Sequence, residues 1–157
     1  ANIEEKLQRI VPKDTPYDVE EIRPYRIHQR VLEDYRVGRI LFVGDAAHMN
    51  SPSGGMGMNG GIHDAWSLTE KLPKVYRGEA NVTLLDLYTK QRLPIAKDEI
   101  LKQSHKNRSR MQERDPAARR QELSRMQAIA ADPAASREFL LTSSMLSGLH
   151  KSRAITE

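Results

Sequence analysis

The sequence predicts an α/β fold, on three observations. An apolar run of β-favouring residues, Ile40-Leu-Phe-Val43, ends at Gly44-Asp45. Four such residues with no polar interruption suit a strand buried on both faces, as in a parallel sheet. Directly after it comes a glycine-rich segment, Gly44 to Trp66, which holds six of the chain's nine glycines. Beyond that, Ile62, Ala65, Trp66, Leu68, Thr69 and Leu72 recur at helical spacing. Strand, glycine loop and helix then continue into helices to the end of the chain.

Taken in order, Ala1 to Pro24 is polar and punctuated by Pro12, Pro16 and Pro24, with room for a short helix at Ile3–Ile10. Tyr25, Ile27 and Val31 alternate with Arg26, His28 and Arg30, which reads as a strand with one wet face. Arg36-Val-Gly38 reads as a turn into the apolar run. The helix after the glycines is predicted to start near Gly57 and to be ended or kinked by Pro73, because proline lacks the N–H and clashes with the preceding turn. Thr83-Leu-Leu-Asp86 resembles a capping box with Asp86 in place of the usual Glu, so Thr83 should open the next helix. Its apolar face is Leu84, Leu87, Tyr88 and Leu93; Pro94 interrupts it, and helix resumes through Ile95, Ile100 and Leu101. Asp115-Pro116 and Asp132-Pro133 each pair an N-cap with proline at the first helical position. Those helices should run to about Ala131 and about Ser147, the second stopped by Gly148.

At 157 residues the chain has the size of one domain. Only 38% of it is apolar and its mean hydropathy is −0.65, thin for a self-sufficient globule. Either it is a helix-rich, highly solvated domain or it is a piece of something larger. The first residue is Ala1 rather than Met and no signal-like stretch follows, so the start reads as a cut. The net charge of +4 and isoelectric point near 9.4 permit an anionic partner without specifying one. No apolar run approaches the ~20 residues that span a bilayer. The absence of cysteine removes disulfide scaffolds, thiolate metal sites and cysteine nucleophiles, and a cytoplasmic setting fits. The basic residues from Lys97 to Arg125 are interleaved with Glu and Asp and lack aromatics. They read as a solvated helix surface rather than a nucleic-acid interface.

The glycine segment carries the chemistry. A strand running into Gly-Asp, then glycines, then a helix is a geometry that holds a polar or anionic ligand at strand ends. Amides at a helix N-terminus are unpaired and the dipole there favours negative charge. Asp45 suits a ligand hydroxyl rather than a phosphate, so a nucleotide cofactor carrying both hydroxyls and an electron-rich ring fits. A P-loop would need Gly-Lys-Ser/Thr, where Met-Asn-Gly-Gly stands instead. The letters of GxGxxG occur from Gly55 to Gly60, but without an acidic residue on a following strand. Asp45, His48 and His63 match no metal-site spacing, and Ser51 and Ser53 lack a nucleophile-elbow context. Taken singly, His48 reads as a structural hydrogen-bonding histidine, Trp66 as core, and Met56 and Met58 as packing or pocket lining.

The string GRILFVGDAAHMNSPSGGMGMNGGIHDAWSLTEKL closely resembles the second FAD-binding motif of the flavin-dependent (group A) aromatic hydroxylases of the p-hydroxybenzoate hydroxylase fold. That pattern runs Gly-Asp-Ala-Ala-His, here Gly44 to His48. It continues through Pro52, Gly55, Gly57 and Asn59 to Asp64, Ala65 and Leu68. Tyr25 to Arg30, Leu85 to Tyr88 and Gln91 to Pro94 support it as flanks. The helical tail is compatible only, and Pro73 departs from the family's pattern.

The resemblance implies the C-terminal portion of an FAD-binding Rossmann-like domain, contributing the final strand and the flavin-contacting helix, with a helical tail. Residues 1–31 would end a substrate-domain sheet, 32–95 would form the second part of the FAD-binding domain, and 96–157 the tail. Gly44 would admit the backbone close to the pyrophosphate and Asp45 would accept from a ribitol hydroxyl. Pro52 and Gly54 would line the isoalloxazine, beside Gly55 and Gly57, and the amides of Met58 and Asn59 would donate to the flavin O2. No catalytic or metal-binding residue is assigned. Such enzymes hydroxylate a small aromatic substrate with O2, FAD and NAD(P)H as electron donor, the chemistry being the cofactor's. The family's first FAD fingerprint, its central Asp-Gly motif and most of its substrate sheet are not in this sequence. The remainder of the FAD-binding and substrate domains is therefore the implied partner, and the isolated chain should be inactive. Other readings are a related FAD oxidoreductase (an epoxidase, halogenase or reductase) and a non-catalytic binding module with a basic helical tail.

Overall fold

A computed structural model describes residues 2–52 and 55–156, with Glu99 described through its backbone only. Helix α1 spans Ile3–Ile10, as the sequence predicts. The Asn2 side chain caps it by accepting from the Glu4 amide at 3.1 Å. Glu4 and Glu5 sit in its first turn and Arg9 in its last, the arrangement the helix dipole favours. The segment that follows carries no helix or strand and is mostly exposed, and the strand expected at Tyr25–Val31 contracts to β1, Arg30–Val31.

Three further short strands follow: β2 (Arg36–Val37), β3 (Ile40–Leu41) and β4 (His48–Met49). Strands β2 and β3 form an antiparallel hairpin, Arg36 opposite Leu41, turning at Gly38 with a left-handed φ of 61°. Strand β1 pairs antiparallel with β4, Val31 opposite His48. Among the described residues no strand pairs in parallel, which corrects the expectation for Ile40–Val43. The composition of that run predicts burial on both faces, yet among the described residues its strand pairs with β2 and Ile40 is 60% exposed.

The rest is helical. Helix α2 spans Met56–Thr69, α3 Leu72–Tyr76 and α4 Asp86–Ile95. A π-helical stretch, Ala96–Leu101, joins α4 to α5, Lys102–Gln112. Then come α6 (Pro116–Ala131), α7 (Pro133–Ser143) and α8 (Leu146–Ala154). Both Asp-Pro starts form as the sequence predicts: Asp115 accepts from the amides of Ala117 and Ala118, and Asp132 from that of Ala134.

Three boundaries differ from expectation. Helix α2 stops before Pro73, which instead opens α3, a position where its missing N–H costs nothing. Asn81, not Thr83, is the cap ahead of Asp86: its side chain accepts from the Thr83 amide at 3.0 Å, and a 3-10 turn, Val82–Leu85, intervenes. Helix α7 ends at Ser143, because Met145 takes a left-handed φ of 64°, and Gly148 lies buried inside α8.

The core joins both halves of the chain. Tyr35, Ala47, Met56, Leu68, Leu85, Tyr88, Ala96, Ile100 and Met145 form one buried cluster. Tyr88 reaches across it to donate to the Phe42 carbonyl at 2.8 Å, so α4 is pinned to the apolar run. Gln91 donates to the Ile155 carbonyl at 2.7 Å, which fastens the end of α8 to α4. Full burial of an aliphatic side chain such as Ile100 contributes about 1.5–3 kcal/mol.

Candidate functional site

The apolar run ends in a single 3-10 turn, Gly44–Ala46, entered from an extended Val43. Gly44 has φ of 59° and lies backbone to backbone against Gly61 of α2: a Cβ on Gly61 would come within 3.2 Å of the Gly44 Cα. A Cβ on Gly60 would meet Ile100 Cδ1 at 2.6 Å and His48 Cε1 at 3.3 Å. These two helix glycines therefore serve packing. Gly61 lets α2 cross the Gly44 turn at a distance that would crowd a side chain, and Gly60 makes room for Ile100 and His48.

The first turn of α2 is built differently. Its N-cap is Gly55, with φ of 68°, open space where a Cβ would be, and no side-chain cap; no acidic residue occupies the first turn. The leading amides of a helix lack intrahelical acceptors, so they remain available donors. A Cβ on Gly57 would lie 3.2 Å from Asn50 Oδ1 and 3.8 Å from Asp45 Oδ1. The exposed carboxylate of Asp45 thus sits directly beside the uncapped helix start. Met58 is 74% exposed. Asn59 is exposed and its side-chain amide donates to the Gly55 carbonyl at 2.9 Å. Pro52 is exposed and its carbonyl accepts from the Gly55 amide at 3.2 Å. Asp45, Pro52, Gly55, Gly57, Met58 and Asn59 thus gather around the start of α2 and Gly44 lies against its second turn, whereas Gly54 and Ser53 lie outside the described residues. An anionic acceptor next to unpaired amides can take hydroxyl donors on one side and a carbonyl or negative charge on the other.

Beneath this surface lies a buried polar hub that the sequence reading did not assign. Asp64, on α2, is fully buried. Its Oδ1 accepts from Arg92 Nε at 2.7 Å, and its Oδ2 from the Gly44 amide at 3.2 Å and His48 Nε2 at 2.5 Å. Burial alone would raise the Asp64 pKa, but the hydrogen bond from His48 and the Arg92 charge outweigh it and hold the carboxyl below its ordinary value. His48 is thus the structural histidine the sequence suggests. Nη1 and Nη2 of Arg92, Nδ1 of His48 and the Tyr35 hydroxyl are buried without a hydrogen-bond partner among the described residues.

The hub explains why α2 faces the way it does. Its buried positions are Met56, Gly60, Asp64, Ser67 and Leu68, and the next helical step, Lys71, is buried too. Lys71 Nζ donates to the Ser67 carbonyl and hydroxyl, and burial lowers its pKa. The apolar stripe Met58, Ile62 and Trp66 points outward, with Trp66 60% exposed and donating to Glu70. The expectation of Trp66 as core is therefore corrected: specific polar partners outweigh hydrophobicity on this face. The available clue was Asp64 four residues from both Gly60 and Leu68, an acid on a face that also carries a packing glycine.

Residues 1–103 match the family described as FAD binding domain. The para-nitrophenol 4-monooxygenase of a Pseudomonas species is 36% identical over 147 residues, covering 92% of this chain and 36% of that protein. Pentachlorophenol 4-monooxygenase of Sphingobium chlorophenolicum is 46% identical over 81 residues, 52% of this chain and 15% of the relative. The chain thus spans about a third or less of the length of these curated relatives. Among solved structures, p-nitrophenol 4-monooxygenase PnpA from Pseudomonas putida superposes with a TM-score of 0.71 at 34% identity, over 88% of this chain and 37% of that one. CabE, an aromatic hydroxylase from angucycline biosynthesis, gives 0.74 at 26%, over 92% and 29%. By the span of the family match and by these relatives, the chain belongs to the FAD-binding domain family of the flavin-dependent aromatic hydroxylases.

Proposed function

We propose that this chain supplies the second part of the FAD site in a monooxygenase that hydroxylates an aromatic substrate with O2 and NAD(P)H. The observation that carries the reading is the exposed Asp45 carboxylate beside the uncapped first turn of α2, in a chain of an FAD-binding family. In this reading Gly44 admits the backbone near the pyrophosphate and Asp45 accepts from a ribitol hydroxyl. Pro52 borders the ring system, and Gly55 and Gly57 keep side chains away from it. The amides of Met58 and Asn59 donate to the pyrimidine carbonyl, where the helix N-terminus favours negative charge. FAD, when bound, supplies the oxygen chemistry; no residue of this chain is assigned a proton or bond to break.

The same reading makes residues 32–95 the cofactor-holding unit, 1–31 the end of a substrate-domain sheet and 96–157 a supporting tail. The remainder of the FAD-binding and substrate domains is the partner. Support for a partner comes from the outward stripe Met58, Ile62 and Trp66 and from the exposed Ile40 and Val37 at the β-hairpin. Patches of this kind on a polar chain mark surfaces that another polypeptide covers. A cytoplasmic setting, where NAD(P)H is at hand, belongs to this proposal. Among the described residues no helix is long and apolar enough to cross a membrane.

The test is reconstitution of the chain with the remaining domains, read by flavin absorbance and by substrate-stimulated NAD(P)H oxidation. Asp45→Ala should weaken FAD binding about tenfold or more, the loss of one hydrogen bond to a charged group. Because Asp45 is exposed, stability should stay within about 0.5 kcal/mol. Unchanged FAD affinity in that variant would sink the assignment.

A further inference from the structure

The helical tail reaches the candidate site through one side chain. Pro94 sits inside α4, and the π-helical stretch Ala96–Leu101 follows it before α5 begins. Proline removes the hydrogen bond to the preceding turn, and the π-helical stretch widens the helix just beyond it. The joint carries Ile100 onto Gly60, where even a methyl group would collide with it. One helical turn on, Ser104 is fully buried and its hydroxyl donates to the Ser51 carbonyl at 2.9 Å, across 53 positions of sequence. A buried hydroxyl requires a partner, and Ser51 is that partner.

The Ser51–Pro52 peptide has no N–H, so its carbonyl is the one backbone polar group through which that bond can be held. Pro52 in turn accepts from the Gly55 amide at 3.2 Å, and Gly55 is the N-cap of α2. A line of hydrogen bonds therefore runs from α5 through Ser51 and Pro52 to the uncapped helix start. Ser104 lies one residue beyond the span that the FAD-binding family matches. We propose that Ser104 is a positioning residue: its bond to the Ser51 carbonyl holds the chain entering Pro52 against α5 and so sets the N-cap of α2. Its consequence for a flavin rests on the function proposed above; the tether itself does not.

The experiment is amide hydrogen exchange on the chain reconstituted with the remaining domains, resolved by mass spectrometry of short peptides, with an FAD titration alongside. Ser104→Ala should speed exchange at Gly55 about tenfold, the effect of losing one buried hydrogen bond. Helices α6 and α7 should keep wild-type rates, whereas a packing role alone would raise exchange throughout the core. Ser104→Thr, which keeps the donor, should return the Gly55 rate toward wild type. Should Ser104→Ala not fold, Ser104→Cys replaces it, with a weaker donor in similar volume and an expected increase of about two- to fivefold. Wild-type exchange at Gly55 in the Ala or Cys variant overturns the proposal. Changed exchange with no response of wild-type Gly55–Asn59 to FAD upholds the tether and counts against the cofactor reading. Where wild type does bind FAD, the Ala variant should bind it more weakly, and equal affinity with unchanged exchange overturns the proposal.

Discussion

Replacing Asp64 by Asn removes one charge from the hub while keeping its shape. Arg92 and Asp64 are both buried, their side chains 1% and 0% exposed, so the guanidinium loses its compensating carboxylate in a site closed to bulk solvent. The amide cannot satisfy the site in either orientation. With its NH2 at the Oδ2 position it faces the donors of Gly44 and His48; at the Oδ1 position it faces Arg92 Nε. Breaking a buried pair from one side costs about 3–5 kcal/mol, against a total of about 5–15 kcal/mol for a typical domain. For a chain of this length that corresponds to a fall in Tm of roughly 6–20 °C. Urea unfolding followed by far-ultraviolet circular dichroism would read it as a lower midpoint at constant m.

Acid supplies the second arm of the same test. The Asp64 pKa is depressed in the folded state, so its contribution is fully present above the unfolded value of about 3.9. That contribution is lost as pH falls through the lower folded value. Asp64→Asn should therefore flatten the loss of stability on acidification below about pH 4. Adding Arg92→Met should recover part of the damage, since it removes the uncompensated charge together with two Nη atoms that have no hydrogen-bond partner among the described residues. A coupling of about 0.5–3 kcal/mol is the expected range. A single variant within about 1 kcal/mol of wild type would refute the hub as a stabilising centre.

Two further perturbations address the packing. Gly60→Ala gains helix propensity of about 1 kcal/mol, but its methyl group would lie 2.6 Å from Ile100 Cδ1 in a closed core. Overpacking of that kind costs about 1–3 kcal/mol, so the net should be destabilising, and Ile100→Val in the same chain should relieve it; thermal unfolding of the single and double variants decides. Asp115→Ala and Asp132→Ala should each cost about 1 kcal/mol through loss of an N-cap. Their effects should add, because the two caps share no hydrogen-bond partner.

What could be read in the sequence follows from how local each determinant is. Asp115-Pro116 and Asp132-Pro133 announce their helices because cap and proline act within one turn, and α1 formed at its predicted residues for the same reason. The orientation of α2 was hidden because it depends on Arg92, 28 positions away, and on His48, 16 positions away. Periodicity counts apolar residues and so pointed Trp66 inward; the paired charges turned that face out. Pro73 misled in a similar way, since a proline that ends one helix and a proline that starts another look alike until the preceding cap is known. The strand forms over Ile40–Leu41 rather than Ile40–Val43, and its burial depends on which polypeptide flanks it, which composition alone does not carry.

The glycine cluster shows how one composition signal can mix two physical demands. A cluster of this density reads as backbone making way for a ligand, and at Gly55 the structure does leave open space, while the Asp45 carboxylate lies near Gly57 in the same helix turn. Gly60 and Gly61 make way for something else: Ile100 and the Gly44 backbone occupy the volume a side chain would need. The two demands are linked, because the close crossing at Gly44 and Gly61 is what brings the helix start beside Asp45. Loosening that crossing would move donors away from acceptor without touching either. The packing glycines therefore belong to the candidate site as much as the open ones, by fixing the distance across which Asp45 and the α2 amides can share one ligand.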